Sequence, residues 1–266
     1  GVGADGDEGV GRGYTDGTRR QLVGKGEPAP GPDANAVFHR FDDIGMADNC
    51  ATLVYAGTTS GYATEPHQGF WNVCRYGSVT PIVFTGGPAV DMEEEVTIES
   101  FESYAFGDGG PLAYVAAVTG PRVEEGGNDL GLWITDDFGQ PHLVARTGFG
   151  LDYVTGVDEP TPIVTGFTLE SVSRGDDGLP GAVNRLGDTV FTITFADGTA
   201  APMVATPPPV NYADVNRDGS VTPADFSAWI IAYNTNAPGC DQNRDGSCAP
   251  DDFSAWIINY NASLAG

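Results

Sequence analysis

Four valines spaced about sixty residues apart constrain this chain more than any other feature. They lie in Leu22-Val23-Gly24, Ile82-Val83-Phe84, Leu143-Val144-Ala145 and Met203-Val204-Ala205, at steps of 60, 61 and 60. A fixed period of that length marks stacked or radially arranged units. Midway through each period comes an apolar run: Ala51-Thr52-Leu53-Val54-Tyr55, Leu112-Ala113-Tyr114-Val115-Ala116 and Thr189-Val190-Phe191-Thr192-Ile193. Gly69-Phe70-Trp71 and Gly131-Leu132-Trp133 follow in the first two units, and Phe195-Ala196-Asp197-Gly198 stands in that place in the third. Sixty residues hold about four short strands with turns, the content of a propeller blade. Residues 21–204 are therefore expected to form a mainly β region of three repeats, each a four-stranded blade-like sheet. Closed propellers usually take about four to eight blades, so a partial or irregular propeller, a three-sided sheet arrangement, or a ring completed by another chain is expected. An open array leaves sheet edges that recruit strands.

Composition supports this class. Thirty-eight Gly and nineteen Pro in 266 residues, with valine, threonine and aromatics in short runs, call for many turns and short strands. Residues 1–20 are glycine-rich, acidic and poor in core-forming side chains, the composition of a loose tail. If ordered, such a tail is held by the chain's own sheet edge or by a neighbouring molecule. At the other end, Pro207-Pro208-Pro209 stiffens a linker over 205–210, which separates the β region from residues 211–266.

The net charge is −25, and Lys25 is the only lysine. A surface this acidic repels nucleic acid and anionic membranes and favours divalent cations; it also simply keeps a protein soluble. No run of eighteen apolar residues exists to span a membrane. The start at Gly1, without a methionine, suits a processed mature form or a trimmed chain. Cys50, Cys74, Cys240 and Cys248 allow three connectivities, of which the two local pairs, Cys50 with Cys74 and Cys240 with Cys248, suit a two-part chain. Disulfides imply an oxidising compartment and an extracellular or cell-surface location, with buried free thiols as the alternative.

The C-terminal part carries the clearest chemistry. Residues 214–225 place Asp214, Asn216 and Asp218 at positions one, three and five of a twelve-residue loop, Gly219 at six, Ser220 at seven and Asp225 at twelve. Residues 241–252 repeat the pattern with Asp241, Asn243, Asp245, Gly246, Ser247 and Asp252. Oxygen donors on alternate residues can converge on one hard cation, and calcium favours such an all-oxygen set, so two calcium ions are expected. After each loop, Phe226, Trp229, Ile230 and Tyr233, and likewise Phe253, Trp256, Ile257 and Tyr260, recur at helical spacing and predict one apolar face per helix. Ile231 and Ile258 lie off that stripe and are candidates for a surface offered to a partner.

Loop-then-helix, duplicated after a Pro-rich linker and without a helix before each loop, resembles the dockerin family over roughly residues 211–262. That resemblance implies a small calcium-dependent two-helix module that docks onto a cohesin-like receptor. Pro223-Ala224 and Pro250-Asp251 stand at the loop positions that often select the cohesin, in place of a hydroxylated pair. The Cys240 and Cys248 pair, absent from ordinary cellulosomal dockerins, is similar to that of a cysteine-containing dockerin variant of planctomycete-like secreted proteins. The β region is similar to tandem-repeat domains of unknown function that precede such anchors, through Lys25-Gly26-Glu27-Pro28-Ala29-Pro30-Gly31 and Leu143-Val144-Ala145-Arg146-Thr147-Gly148.

No catalytic residue is assigned. His39, His67 and His142 are scattered, neither a GxSxG elbow nor an HExxH pair is present, and Glu93-Glu94-Glu95 reads as a solvated loop. The function expected is a secreted, non-catalytic, calcium-stabilised structural or attachment protein that docks to a cohesin-like receptor or to identical subunits, the latter building extracellular filaments. The alternative is a polysaccharide-active enzyme or lectin recruited through its dockerin, with Trp71 and Trp133 stacking on carbohydrate. Asn261-Ala262-Ser263 is a glycosylation sequon.

Overall fold

The computed structural model describes residues 9–13, 15–46, 51–59, 67–74, 79–107, 110–151, 161–169, 181–216, 218–235, 238–243 and 247–263. These residues form thirteen strands in four antiparallel sheets, followed by two helices. β1 (Gly9–Gly13) pairs with β2 (Arg19–Gly24). β3 (Val37–Met46), β4 (Ala51–Thr59), β5 (His67–Cys74) and β6 (Val79–Phe84) form a four-stranded meander. β7 (Thr97–Phe106), β8 (Leu112–Thr119), β9 (Leu130–Thr135) and β10 (Pro141–Arg146) form a second. A three-stranded sheet follows from β11 (Val164–Thr168), β12 (Thr189–Phe195) and β13 (Ala200–Ala205). The helices are α1 (Pro223–Thr235) and α2 (Pro250–Ser263).

Successive sheets pack face to face. Side chains alternate across a strand, so a sheet buried on both faces needs an almost continuous apolar sequence. β8 has one. Its Leu112, Tyr114, Ala116 and Val118 join Phe70, Val83, Ile98 and Trp133 in a core against the preceding sheet. Its Ala113 and Val115 join Leu132, Ile134, Phe191, Ile193 and Phe195 in a core against the following one. A third cluster sets Val10, Leu22 and Val23 of the first sheet on Phe38, Ala56, Trp71 and Val73 of the second. Among the described residues, no core cluster joins the first sheet to the last.

The sixty-residue period appears in the hydrogen-bond register. Gly9↔Gly24, Val10↔Val23, Gly11↔Gln21, Arg12↔Arg20 and Gly13↔Arg19 in the first sheet correspond to Gly69↔Phe84, Phe70↔Val83, Trp71↔Pro81, Asn72↔Thr80 and Val73↔Val79 in the second. The same irregularity recurs between Val10 and Gly11 and between Phe70 and Trp71. Glycine holds the matching position of both strands for one reason: a Cβ on Gly9 would sit 2.7 Å from the Val23 carbonyl oxygen, and one on Gly69 2.6 Å from that of Val83. Part of the expected tail is thus the outer half of a repeat unit, held by the chain's own sheet edge.

The turn leading from one sheet to the next is also repeated. Gly26 donates to the Phe38 carbonyl at 2.8 Å, Gly86 to Ile98 at 2.7 Å and Gly148 to Val164 at 2.9 Å. All three glycines have φ near +80°, where an L side chain is strained. By this equivalence β11 is a first strand, β12 a second and β13 a third, and no fourth strand closes the last sheet among the described residues. Val204 therefore does not match Val23 and Val83, which are 1% and 4% exposed where Val204 is 65% exposed, and Val144 is the irregular residue of β10, whose Ala145 takes the place of Val83. Phe195-Ala196-Asp197-Gly198 likewise forms the β12–β13 turn, with Gly198 N–H bonded to the Phe195 carbonyl, and is no counterpart of the Gly-aromatic-Trp step.

Residues 206–210 have no regular structure. Beyond them Tyr212 packs its ring 5.3 Å from Phe138 of the β9–β10 turn and bonds through its hydroxyl to Asp137, which seats the helical part against the β region.

Candidate metal centre

Each loop ends on a wholly buried carboxylate. Asp225 and Asp252 are 0% exposed and occupy the first turns of α1 and α2, where unpaired backbone N–H groups and the helix dipole favour negative charge. Asp225 Oδ1 accepts from the Asn216 N–H at 3.1 Å and Oδ2 from the Thr222 N–H at 2.8 Å. The Thr222 hydroxyl in turn accepts from the Ala224 N–H, completing a reciprocal helix cap. Asp252 does the same for the second loop, with Gln242 and Asn243 N–H on Oδ1 at 2.8 and 3.1 Å and Ala249 N–H on Oδ2 at 2.7 Å. Ala249 has no hydroxyl to return, so the second helix starts with half of that cap. Burial raises the Asp225 carboxyl, but the N–H groups of Thr222, Asn216 and Val215 outweigh it and hold its pKa below the ordinary value.

The opening residues of the first loop fold around one another. Asp214 accepts from the Asp218 N–H on Oδ1 (3.2 Å) and from the Gly219 N–H on Oδ2 (2.9 Å). Asn216 accepts from Asp218 N–H at 3.0 Å, and Asp218 accepts from the Ser220 N–H at 2.9 Å. Gly219 sits at φ +84°, with the left-handed backbone that its sixth position requires. Asp214, Asn216, Asp218, Ser220 and Asp225 are thereby gathered in one hydrogen-bonded turn that offers only oxygen donors. Among the described residues, no three His, Cys, Asp or Glu side chains stand close enough together to hold a metal ion. In the second loop Asn243 donates to Asp251 at 3.1 Å; Asp241 and Ser247 are described, and Asp245 lies outside the described residues.

The two helices meet through their aromatic faces: Phe226 lies 5.3 Å from Trp256 and 5.6 Å from Phe253, and Trp229 lies 5.5 Å from Phe253. Trp229 Nε1 donates to the Cys240 carbonyl at 3.1 Å, while the buried Trp256 Nε1 has no hydrogen-bond partner among the described residues. Cys240 and Cys248 form a disulfide with Cα atoms 5.5 Å apart, tying the 3-10 turn Pro238–Cys240 to the second loop. The Cys50–Cys74 pairing falls on Cys50 and the Cys74 side chain, outside the described residues. Gln242 was missed by sequence reasoning because nothing in the loop pattern distinguishes its position. Buried, it donates to the Tyr212 and Gly239 carbonyls and accepts from Asn259 at 3.0 Å, knitting linker, turn and α2 together. Ile231 and Ile258 stand 64% and 68% exposed, with Ile230 and Ile257 beside them half-exposed.

The β region places its singled-out residues in structural roles. Trp71 and Trp133 are fully buried and donate through Nε1 to the carbonyls of Pro30 (2.8 Å) and Val90 (2.9 Å), equivalent positions in successive turns. Neither presents a face on which a sugar could stack. His67 bonds the Thr85 carbonyl, and His142 the Asp136 carboxylate at 3.2 Å. Glu93 leaves the solvated triplet to pair with the buried Arg146 at 2.7 Å. Its own backbone N–H, then Arg146, lower its pKa. Tyr114, between Phe70 and Trp133, has its hydroxyl pKa raised by burial.

The model of a family of unknown function, DUF7453, matches residues 4–209, spanning all four sheets and stopping ahead of both loops. No curated protein and no solved structure matches the chain.

Proposed function

The chain belongs to the DUF7453 family, and on that premise we propose that it is a secreted, non-catalytic attachment protein whose C-terminal part is a dockerin-like, calcium-stabilised module. The observation that carries this is the duplication of a buried, N–H-bonded carboxylate closing a twelve-residue oxygen-donor loop, at Asp225 and at Asp252. Seven aspartates stand against Arg217 and Arg244 in residues 211–266, an imbalance that a divalent cation relieves. The donor set fits calcium: Asp214, Asn216, Asp218, Ser220 and Asp225 would hold one ion, and Asp241, Asn243, Asp245, Ser247 and Asp252 a second. Bound calcium would add charge neutralisation to loops that Asp225 and Asp252 already close on their helices.

Docking falls to the exposed isoleucine pairs, duplicated as the loops are, and the partner is a cohesin-like receptor or an identical subunit. The consecutive face-packed meanders are a partial propeller that serves as a rigid body carrying the module. The Cys240–Cys248 disulfide supports an extracellular setting.

Calorimetric titration of calcium into chelator-treated protein, followed by far-ultraviolet circular dichroism, tests the metal. Two ions bound with a gain of helicity are expected; no heat and unchanged helicity refute it. Ile231→Asp with Ile258→Asp should then abolish capture by immobilised cohesin-type receptors or by immobilised protein while leaving calcium binding intact.

A further inference from the structure

Resting on the calcium reading above, we infer that the Cys240–Cys248 disulfide sets the calcium affinity of the second loop, so that the second site answers to the thiol–disulfide state of its surroundings and the first does not. Aligned at a step of twenty-seven residues, segments 213–225 and 240–252 differ at five positions. Two of the five are the disulfide: Cys240 and Cys248 stand where the first loop has Ala213 and Val221. A third is Ala249 in place of Thr222, whose hydroxyl accepts from the Ala224 N–H at 3.2 Å and caps α1. The second loop has thus lost half of its helix cap and gained a covalent ring.

That ring encloses the donors. It runs from Cys240, immediately before loop position one, to Cys248 at position eight, and it carries Asp241, Asn243 and Ser247. Its two ends are anchored on different helices. Cys240 is wholly buried, and its carbonyl accepts from Trp229 Nε1 of α1 at 3.1 Å. Next to Cys248, the Ala249 N–H bonds Asp252 of α2 at 2.7 Å. Inside the ring, the Gln242 and Asn243 N–H groups bond the same carboxylate at 2.8 and 3.1 Å. With the disulfide intact, positions one to eight are held beside the closing carboxylate before an ion arrives. With it broken, the hydrogen bonds alone oppose opening, and an ion must gather its donors from a chain with more freedom. Closing a ring of this length is worth up to about eighty-fold, and the apparent affinity falls with the fraction of molecules whose loop is closed.

Linkage is reciprocal, so calcium in the second loop shifts the thiol–disulfide equilibrium toward the disulfide by the same factor. An external dithiol breaks the bond by thiolate attack on Sγ of Cys248, the half-buried partner of the wholly buried Cys240, after which its second thiol resolves the mixed disulfide. Two electrons and two protons pass to the protein, leaving two cysteine thiols and the cyclic disulfide of the reagent.

Calorimetric titration of calcium into the whole chain, oxidised and after reduction with excess dithiothreitol, tests the linkage, with Asp214→Ala and Asp241→Ala titrated alongside to assign the sites. Reduction should weaken the second site, the one left in Asp214→Ala, by about ten- to eighty-fold, and should leave the first within about twofold. Cys240→Ala with Cys248→Val, which gives the second loop the residues of the first, should show the same weakening without reductant and no further loss with it. That invariance separates this pair from Cys50 and Cys74. Equilibration with a dithiol buffer should place the reduction potential of the pair lower in calcium than in chelator, by about 30 mV for each tenfold of affinity. Equal affinity of the second site in both redox states, an equal loss at both sites, or a potential unmoved by calcium overturns the linkage and leaves two calcium sites standing. No calcium bound in either state overturns it together with the calcium reading.

Discussion

Asp225→Ala should unfold the first loop and α1 even before calcium is considered. The carboxylate is wholly buried and accepts from two backbone donors, the N–H groups of Asn216 and Thr222. Leaving a buried donor unpaired costs about 1–3 kcal/mol, and losing a helix cap about 1 kcal/mol, so the change should cost about 3–5 kcal/mol. That is comparable to the whole stability a core this small supplies, roughly 3–5 kcal/mol. Asp225→Asn should rescue only partly, because its amide NH2 must face one of the two donors. Asp218→Ala, at an exposed position bonded to the Ser220 N–H, should cost about 1 kcal/mol without metal. Urea unfolding followed by helical ellipticity, in chelator, measures all three. The sign with pH follows from the depressed pKa: the stabilisation is present in full above the unfolded value of about 4 and is lost as pH falls through the lower folded value. The gap between wild type and Asp225→Asn should therefore close in strong acid. Equal stability of Asp225→Ala and wild type at neutral pH would refute the reasoning.

Three further outcomes test the rest of the structure. Val83→Ala should destabilise the β region by about 1–3 kcal/mol, whereas Val204→Ala should change stability by less than about 0.5 kcal/mol, because only the first fills a core. Thermal melts separate these readily. Trp133→Phe should cost about 2–4 kcal/mol, combining lost volume with an orphaned Val90 carbonyl, and should perturb Tyr114 fluorescence through the stack that the two rings share. Cys240→Ser should lower the stability of the second loop by about 2–3 kcal/mol, the closure entropy of its short loop, and mild reduction of the wild type should reproduce the loss.

Much of the C-terminal part was legible because its information is local. The alternation of oxygen-bearing side chains is set within twelve residues, and the helical period places Phe226 and Trp229, or Phe253 and Trp256, on one face without reference to anything distant. The β region was legible as a repeat of short strands, since turn glycines such as Gly26 and Gly86 answer a backbone demand that recurs at each unit. The roles of Trp71 and Trp133 were not: an indole suits a core or a sugar platform equally, and burial between sheets is a property of the packed stack.

Sequence by itself determined the class, the period, the two oxygen-donor loops and the amphipathic helices, all of which rest on patterns shorter than one unit or on the spacing between like units. Tertiary structure alone decided which residues the period relates. It assigned Gly9–Gly13 to a sheet although its composition is that of a tail, because hydrogen bonds to β2 and the packing of Val10 on the next sheet hold it there. It also removed Val204 from the series, because β13 is the third strand of its sheet and its outer face has no neighbour among the described residues to cover it. Pairing and burial join residues distant along the chain, so a pattern can propose them but only the assembled sheets select among them.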